Sequence, residues 1–266
     1  MIIAQSLFIN YLIILIFIEL GCIFSKKLNL KTLYEKIFFG FSLFILLNFL
    51  FYFKFYLATK IIIYFWTILI SIIFLINIYR YKKIYLFEYL LSISKFVLPV
   101  TIIYCLIPIF YNEQFYIFRG NHWDLFSYLS IASLFNDVTF NDILNGNLPL
   151  FYFHFEDIEK LVFSRPITSY FLSILLNFKS LNIFLIVFFF KLIFVILSSI
   201  SIYSFLIKFK IDKSSSYILA IIFSFSFWLI YIFEIDALSH LLSIPLFVFV
   251  VSEMYNFDKS LKKKNN

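Results

Sequence analysis

Residues 181–206 read LNIFLIVFFFKLIFVILSSISIYSFL, and this stretch decides the fold. It is longer than the ~20 residues that an α-helix needs to cross the ~30 Å hydrocarbon layer of a bilayer. Lys191 is its only charged residue. In the whole chain of 266 residues, 63% are hydrophobic and 14% are charged, against roughly half and a quarter in soluble domains. A soluble fold would leave much of this apolar surface in water, so the composition indicates an integral membrane protein.

Six further apolar runs predict, with residues 181–206, an all-α polytopic bundle of about seven transmembrane helices. The predicted spans are residues 6–24, 33–53, 61–79, 96–111, 181–206, 217–233 and 238–251. The apolar run 166–178 has only 13 residues, so we predict a re-entrant segment there. Residues 84–95 are predicted to form a separate interfacial helix.

The basic residues predict the direction of the chain through the membrane. Fifteen of the 22 lysine and arginine residues lie in four short segments, at 26–36, 80–95, 208–213 and 259–264. Because such residues are enriched in cytoplasmic loops, we expect these segments inside, and the N-terminus and the large polar loop outside. The expected location is a bacterial inner membrane. The chain is therefore predicted to have three segments. Residues 1–111 form four spans, 112–165 form an external loop with surface helices, and 166–266 form the re-entrant segment, three spans and the basic tail.

The external loop 112–165 holds most of the polar groups capable of chemistry. Its net charge is −4 in a chain of net +7, and it carries two of the three histidines. Its length predicts a folded, functional segment, since long structureless loops are uncommon in compact proteins. Asp124 is predicted to cap an amphipathic helix over residues 125–135. Thr139 and Asp142 predict a second capped helix, which ends at Asn145 and Gly146.

The stretch 120–132, GNHWDLFSYLSIA, followed by Arg165 and Pro166, resembles the first external loop of GT-C-type glycosyltransferases. Those membrane enzymes take sugars from polyprenyl-phosphate carriers. Glu234-Ile-Asp236 resembles the second acidic feature of that family, and the similarity covers roughly residues 115–252. The resemblance implies an inverting glycosyltransferase that uses a lipid-linked sugar donor on the non-cytoplasmic face.

The resemblance also implies roles for individual residues. The catalytic carboxylates would be Asp124, Asp236 and Glu234. The groups that bind phosphate and sugar would be Arg165, Arg119, His122 and Tyr128. Physically, a base that deprotonates the acceptor hydroxyl typically contributes 10²–10⁴-fold, and positive charge stabilises the leaving phosphate. A divalent cation is left open as the source of that charge, although the sequence has no zinc-ligand spacing.

Structural interpretations stand beside these roles. Asp124 as a helix cap stabilises by about 1 kcal/mol without any catalysis. Arg165 is equally suited to anchoring the chain at lipid headgroups. Glu234 and Asp236 also fit a plain loop. Lys191 and Glu19 lie inside predicted spans, where charged residues are often functional but also serve as packing contacts.

Two alternative functions remain open. One is a polysaccharide polymerase, which also uses a large external loop. The other is a non-enzymatic transporter or scaffold subunit. The predicted partners are membrane lipids and a polyprenyl-phosphate sugar, and no nucleic acid.

Overall fold

The computed structural model describes residues 2–28, 30–81, 85–110, 123–145, 147, 166–177, 183–234 and 237–264, with the backbone alone at 2, 80–81, 85–86, 107–110, 123–127, 166, 184, 234 and 256–264. These residues form eleven α-helices and no strand, which confirms the predicted all-α fold. The helices are α1 (Ile2–Phe24), α2 (Leu33–Phe53), α3 (Thr59–Tyr81), α4 (Tyr85–Phe110), α5 (Trp123–Asp137), α6 (Phe140–Leu144), α7 (Pro166–Leu175), α8 (Ile183–Lys208), α9 (Lys213–Ser224), α10 (Phe227–Glu234) and α11 (Leu238–Lys264).

The described helices contain six that are long and apolar enough to cross a membrane, namely α1, α2, α3, α4, α8 and α11. Helices α9 and α10 meet at a bend of 42° and together form a seventh candidate span. Helix α7 has only 10 residues, about half the length that a span needs. The predicted bundle of about seven spans with one additional short segment therefore agrees with the observed helices.

The boundaries differ from the prediction at three places. The predicted interfacial helix 84–95 and short span 96–111 are one continuous helix, α4, of 26 residues. Ser92 and Ser94 lie inside this helix and donate hydrogen bonds to carbonyls one turn earlier, at 2.8 and 2.7 Å. The predicted single span 217–233 is broken between α9 and α10. Helix α11 continues past the predicted end at residue 251 to Lys264.

Contacts along the chain define two compact units, each made of separated segments. We call the first unit A; it comprises Met1–Ile13, Phe87–Arg119 and Lys191–Asn266. Unit B comprises Ile14–Leu86 and Gly120–Phe190. Helices α1 and α8 each contribute one part to both units, so each unit is built from elements distant in sequence.

In unit B, helices α1 and α2 approach each other closely at two glycines. A Cβ atom at Gly21 would lie 2.1 Å from the Lys36 carbonyl oxygen, and one at Gly40 would lie 1.8 Å from the Phe17 carbonyl oxygen. Neither position has room for any larger residue unless the helices move apart. Beside this contact the Phe17 ring packs on Phe41 at 5.0 Å. Small residues at helix contacts are how apolar helices gain close packing in lipid.

Unit B also fixes the helices of the polar loop to the spans. The end of α5 is held by hydroxyl groups from two other helices. Thr59 donates to the Phe135 carbonyl at 3.1 Å, and Tyr52 to the Val138 carbonyl at 3.3 Å. The next helix, α6, begins with the capping box of Thr139 and Asp142 and has Asn145 as its C-cap, which confirms those parts of the prediction. Gly146, the other residue predicted at its end, lies outside the described residues.

Cysteine labelling tests the predicted orientation. Single cysteines at residues 31, 82, 210 and 263 are expected to resist a membrane-impermeant thiol reagent in intact cells, whereas one at 141 reacts, because the basic segments are predicted inside. Native Cys22 and Cys105 are fully buried and give a low background. Labelling at 263 without permeabilisation would contradict the orientation and make residues 166–178 a full span.

Candidate functional site

Unit A contains a discontinuous span formed by α9 and α10, with a break at residues 225–226; α10 ends at Glu234, and α11, which is a span of its own, begins at Leu238. A break inside a membrane helix frees backbone carbonyls from their usual partners. In hydrocarbon each unsatisfied group costs several kcal/mol, so neighbouring side chains must supply the missing donors. Side chains of other helices supply donors both at this break and at the C-terminal end of α10.

At the break between α9 and α10, Tyr104 of α4 supplies the missing hydrogen-bond donor. Its hydroxyl donates to the Ser224 carbonyl at 2.7 Å, and its side chain is 1% exposed. Ser224 itself donates to the Ala220 carbonyl at 3.1 Å, a serine contact that bends helices. After the bend, the Ser226 hydroxyl accepts from the Leu229 N–H at 3.4 Å, which caps the start of α10.

The C-terminal end of α10 receives its donor from Lys191 of α8. Its Nζ donates to the Phe233 carbonyl at 3.0 Å and lies 4.4 Å from the centre of the Phe233 ring. Lys191 is 2% exposed, although it is the charge within the apolar stretch that decides the fold. It stands about 12 Å along α8 from the first residue of that helix, too far inside for its amine to reach the end. The Phe233 ring in turn packs on Tyr104 at 4.8 Å, so the two donors share one aromatic contact.

This arrangement brings a buried cation to the C-terminal end of α10. Lys191 satisfies a carbonyl there, and a positive charge is favoured at that end of a helix by the peptide dipoles. The same carbonyl belongs to the residue just before Glu234, and Asp236 follows within three residues. A purely structural role would need only the hydrogen bond. A binding role uses the charge, because broken helices in membrane proteins commonly line ligand or ion sites.

Most of the residues selected from sequence lie outside the described part. Asp236, Arg165, Arg119 and His122 are not among the described residues, and Asp124 and Glu234 are described by their backbone alone. Tyr128 is described and is 2% exposed in α5. Their proposed roles therefore stay predictions.

One local prediction about Asp124 was wrong. It was expected to cap the helix over 125–135, but it is the second residue of α5, because Trp123 is already helical. An acid in the first turn of a helix remains favourable, since negative charge near the N-terminus is stabilised by the helix dipole. Asp124 is thus placed where an acid helps the helix, whatever else it does.

Glu19, the other charge predicted inside a span, is buried in unit B. Asn77 of α3 donates a hydrogen bond to its carboxylate and another to its backbone carbonyl, the latter at 3.2 Å. The two side chains are 3% and 0% exposed. A polar contact between helices, the structural interpretation, therefore accounts for Glu19.

The described residues were also compared with what a ligand cavity or a metal site requires, and neither requirement is met. A small cavity of about 10 Å³ lies between α2 and α7, lined by Asn48, Tyr170 and apolar neighbours, and has room for about one water. It is too small for a sugar or a lipid chain. The described residues contain no group of three or more His, Cys, Asp or Glu side chains that would hold a metal ion.

Nothing in the sequence marks Tyr104 as a residue that stabilises the break between α9 and α10. It is one of 19 tyrosines, lies in an apolar run and has no charge to mark it. Lys191 was identified because it is the single charge in its span, but its partner in α10 was not. Comparison of the chain with protein-family models, with curated proteins and with solved structures gave no match.

Proposed function

We propose that this protein transfers a sugar from a polyprenyl-phosphate donor at the non-cytoplasmic surface of the membrane, and that the discontinuous span carries the reaction. One observation supports this above the others: the Lys191 amine is hydrogen-bonded to the carbonyl that precedes Glu234 and Asp236. In the sequence, two acids thus follow directly after the residue whose carbonyl binds the buried cation. That is the set of charges which transfer from a phosphate requires.

The chemistry assigns a role to each group. Asp236, with Glu234 as the alternative, accepts the proton of the acceptor hydroxyl. The acceptor oxygen then attacks the anomeric carbon, and the bond from that carbon to the phosphate oxygen breaks with inversion. The polyprenyl phosphate leaves with an additional negative charge, which the positive charge of Lys191 stabilises. A divalent cation remains an additional source of positive charge.

A pair of Lys191 variants tests the proposal. Lys191→Gln keeps a donor for the Phe233 carbonyl and loses the charge, whereas Lys191→Met loses both. Hydrogen bonds to charged groups contribute about 1.5–3 kcal/mol, so both variants are expected to raise KM for the donor or lower kcat by about 10- to 100-fold. The measurement is transfer of a labelled sugar by the full chain in lipid vesicles. Lys208→Gln, at the end of the same helix, is the matched control.

Three outcomes separate the interpretations. Loss of transfer in both Lys191 variants, with Lys208→Gln active, supports a role for the charge. Full activity in Lys191→Gln with loss in Lys191→Met means that Lys191 only caps α10. The absence of transfer by the wild-type chain with any polyprenyl-phosphate sugar would contradict the proposed function itself.

A transporter is the second candidate, and the bend of 42° between α9 and α10 favours it. Broken helices near the membrane midplane form the substrate sites of many transporters. Under this alternative the wild-type vesicles bind or move an anionic solute in a manner that depends on Lys191, and no glycosidic product forms. Assaying both uptake and product in the same vesicles distinguishes the two functions.

A further inference from the structure

Three separate lysine-bearing segments of unit A meet at one end of that unit. Lys208, the last residue of α8, forms an ion pair with Glu253 of α11. The next residue, Phe209, stacks on Tyr255 with ring centres 4.2 Å apart. The loop between α8 and α9 therefore lies beside residues 253–255 of α11.

Helix α4 reaches the same end. Tyr217 of α9 donates its hydroxyl proton to the Lys95 carbonyl at 3.0 Å. The Lys95 amine lies 4.3 Å from the centre of the Tyr203 ring, in the last turns of α8. Lys95 is thus joined to the end of α8 and the beginning of α9, which border the loop.

Helix α11 extends this end further. Its 27 residues measure about 40 Å, against ~30 Å of hydrocarbon, and its apolar part is Leu238–Tyr255. The backbone stays helical from 256 to 264, beyond the contact with the loop. We call the combined surface the basic end. Its described charged side chains are Lys95, Lys208, Lys210 and Lys213 with Glu88, Asp212 and Glu253. The sequence of the helical backbone 256–264 adds Asp258, Lys259, Lys262, Lys263 and Lys264.

The loop of the basic end combines exposed charge with exposed apolar side chains. Lys210 and Lys213 are exposed. Two neighbouring apolar side chains are exposed as well, Phe209 by 42% and Ile211 by 37%. Hydrogen bonds from the Ser215 hydroxyl and N–H hold the pKa of Asp212 below its usual value, so this acid is charged at neutral pH. In the sequence of the basic end, eight lysines outnumber four acids. Apolar side chains at the acyl boundary with lysines among the headgroups are the pattern of an interfacial segment.

We propose that the basic end binds the headgroups of anionic phospholipids. The net positive charge complements a phosphate-bearing surface, and Phe209 and Ile211 would enter the apolar layer beneath the headgroups. A lysine near an anionic membrane surface contributes about fivefold to association. This surface does not include Lys191, Glu234 or Asp236, and the proposal does not rest on sugar transfer.

The test uses the full chain in bilayer discs of equal phosphatidylglycerol and phosphatidylcholine. The lipids retained by the released protein are counted by native mass spectrometry. The wild type is expected to retain phosphatidylglycerol preferentially, and Lys210→Gln with Lys213→Gln to lower that preference by about tenfold or more. A second pair on α11, Lys262→Gln with Lys263→Gln, is expected to act in the same direction. Lys54→Gln with Lys60→Gln, two exposed lysines of unit B, is the matched control.

The outcomes are decisive because the substituted lysines of the loop are exposed and do not hold the fold. Thermal unfolding in detergent should be equal in all variants. Preference lost in both basic-end pairs and kept in the control supports the proposal. Equal preference in all variants, or no preference in the wild type, overturns it and leaves an acidic protein as the partner for this surface.

Discussion

Asp236→Asn is expected to lower sugar transfer by ~10² or more at an unchanged level of folded protein. Asparagine has nearly the same shape as aspartate, but it does not accept a proton at neutral pH, and a base of this kind contributes 10²–10⁴-fold. The effect should appear in kcat more than in KM, because deprotonation of the acceptor belongs to the chemical step. Turnover by vesicles containing the variant, measured with a labelled polyprenyl-phosphate sugar, checks it.

Asp124→Asn extends the same test to the polar loop. Asp124 is the second residue of α5, where asparagine keeps the shape of the side chain and removes its charge. If Asp124 is the base, turnover falls by ~10² or more; if it only helps the helix begin, the change is small. Asp137→Asn is the matched control at the other end of α5, where the carboxylate lies 3.6 Å from the Lys60 amine. Full activity in both the Asp124 and the Asp236 variants would remove the catalytic proposal and favour a transporter or scaffold.

Gly40→Ala is expected to destabilise the protein by about 2–3 kcal/mol. Its new methyl group would meet the Phe17 carbonyl at 1.8 Å, so α1 and α2 must separate, and overpacking of this kind costs about 1–3 kcal/mol or more. The direction of the change in stability is informative, because alanine in place of glycine otherwise stabilises a helix by about 1 kcal/mol. The fraction folded in a series of denaturing detergent mixtures measures the effect.

A control on the same helix isolates the contact. Ser42 is two residues away on α2 and is exposed, so Ser42→Ala should change stability little. Gly21→Ala, which would meet the Lys36 carbonyl at 2.1 Å, should resemble Gly40→Ala. A Gly40→Ala protein as stable as the wild type would mean that the helices do not approach as closely as the structure describes.

The number of spans follows from sequence because hydropathy depends on local composition alone. The break between α9 and α10 could not be predicted from the sequence, because residues 224–227 read SFSF and contain neither proline nor glycine to mark a bend. The hydrogen bond that satisfies the break is donated by Tyr104, which lies 120 positions earlier in the chain than Ser224. Long-range contacts of this kind leave no periodic signal in a single sequence. The opposite error occurred in α4, where Glu88 and Lys95 suggested a separate interfacial helix but the backbone stays helical from Tyr85 to Phe110.

The candidate site, like the fold, could be predicted from the sequence only in part. Lys191 was found from its sequence because a single charge in an apolar span is conspicuous and costly to bury. Its bond to the Phe233 carbonyl depends on how two helices pack, which the sequence does not display. The acids and basic residues selected by family resemblance lie mostly outside the described residues, so their roles remain predictions that the variants above test.

The bond between Lys191 and Phe233 also has a consequence for how the chain is made. Its two residues are 42 positions apart, and α8 leaves the ribosome before α10. At about 5–20 residues per second, the carbonyl becomes available about 2–8 s after Lys191 has emerged. A lysine at the centre of an inserting helix costs about 2.5–3.5 kcal/mol. Helix α8 is therefore expected to wait at the insertion machinery and to enter the lipid together with α10.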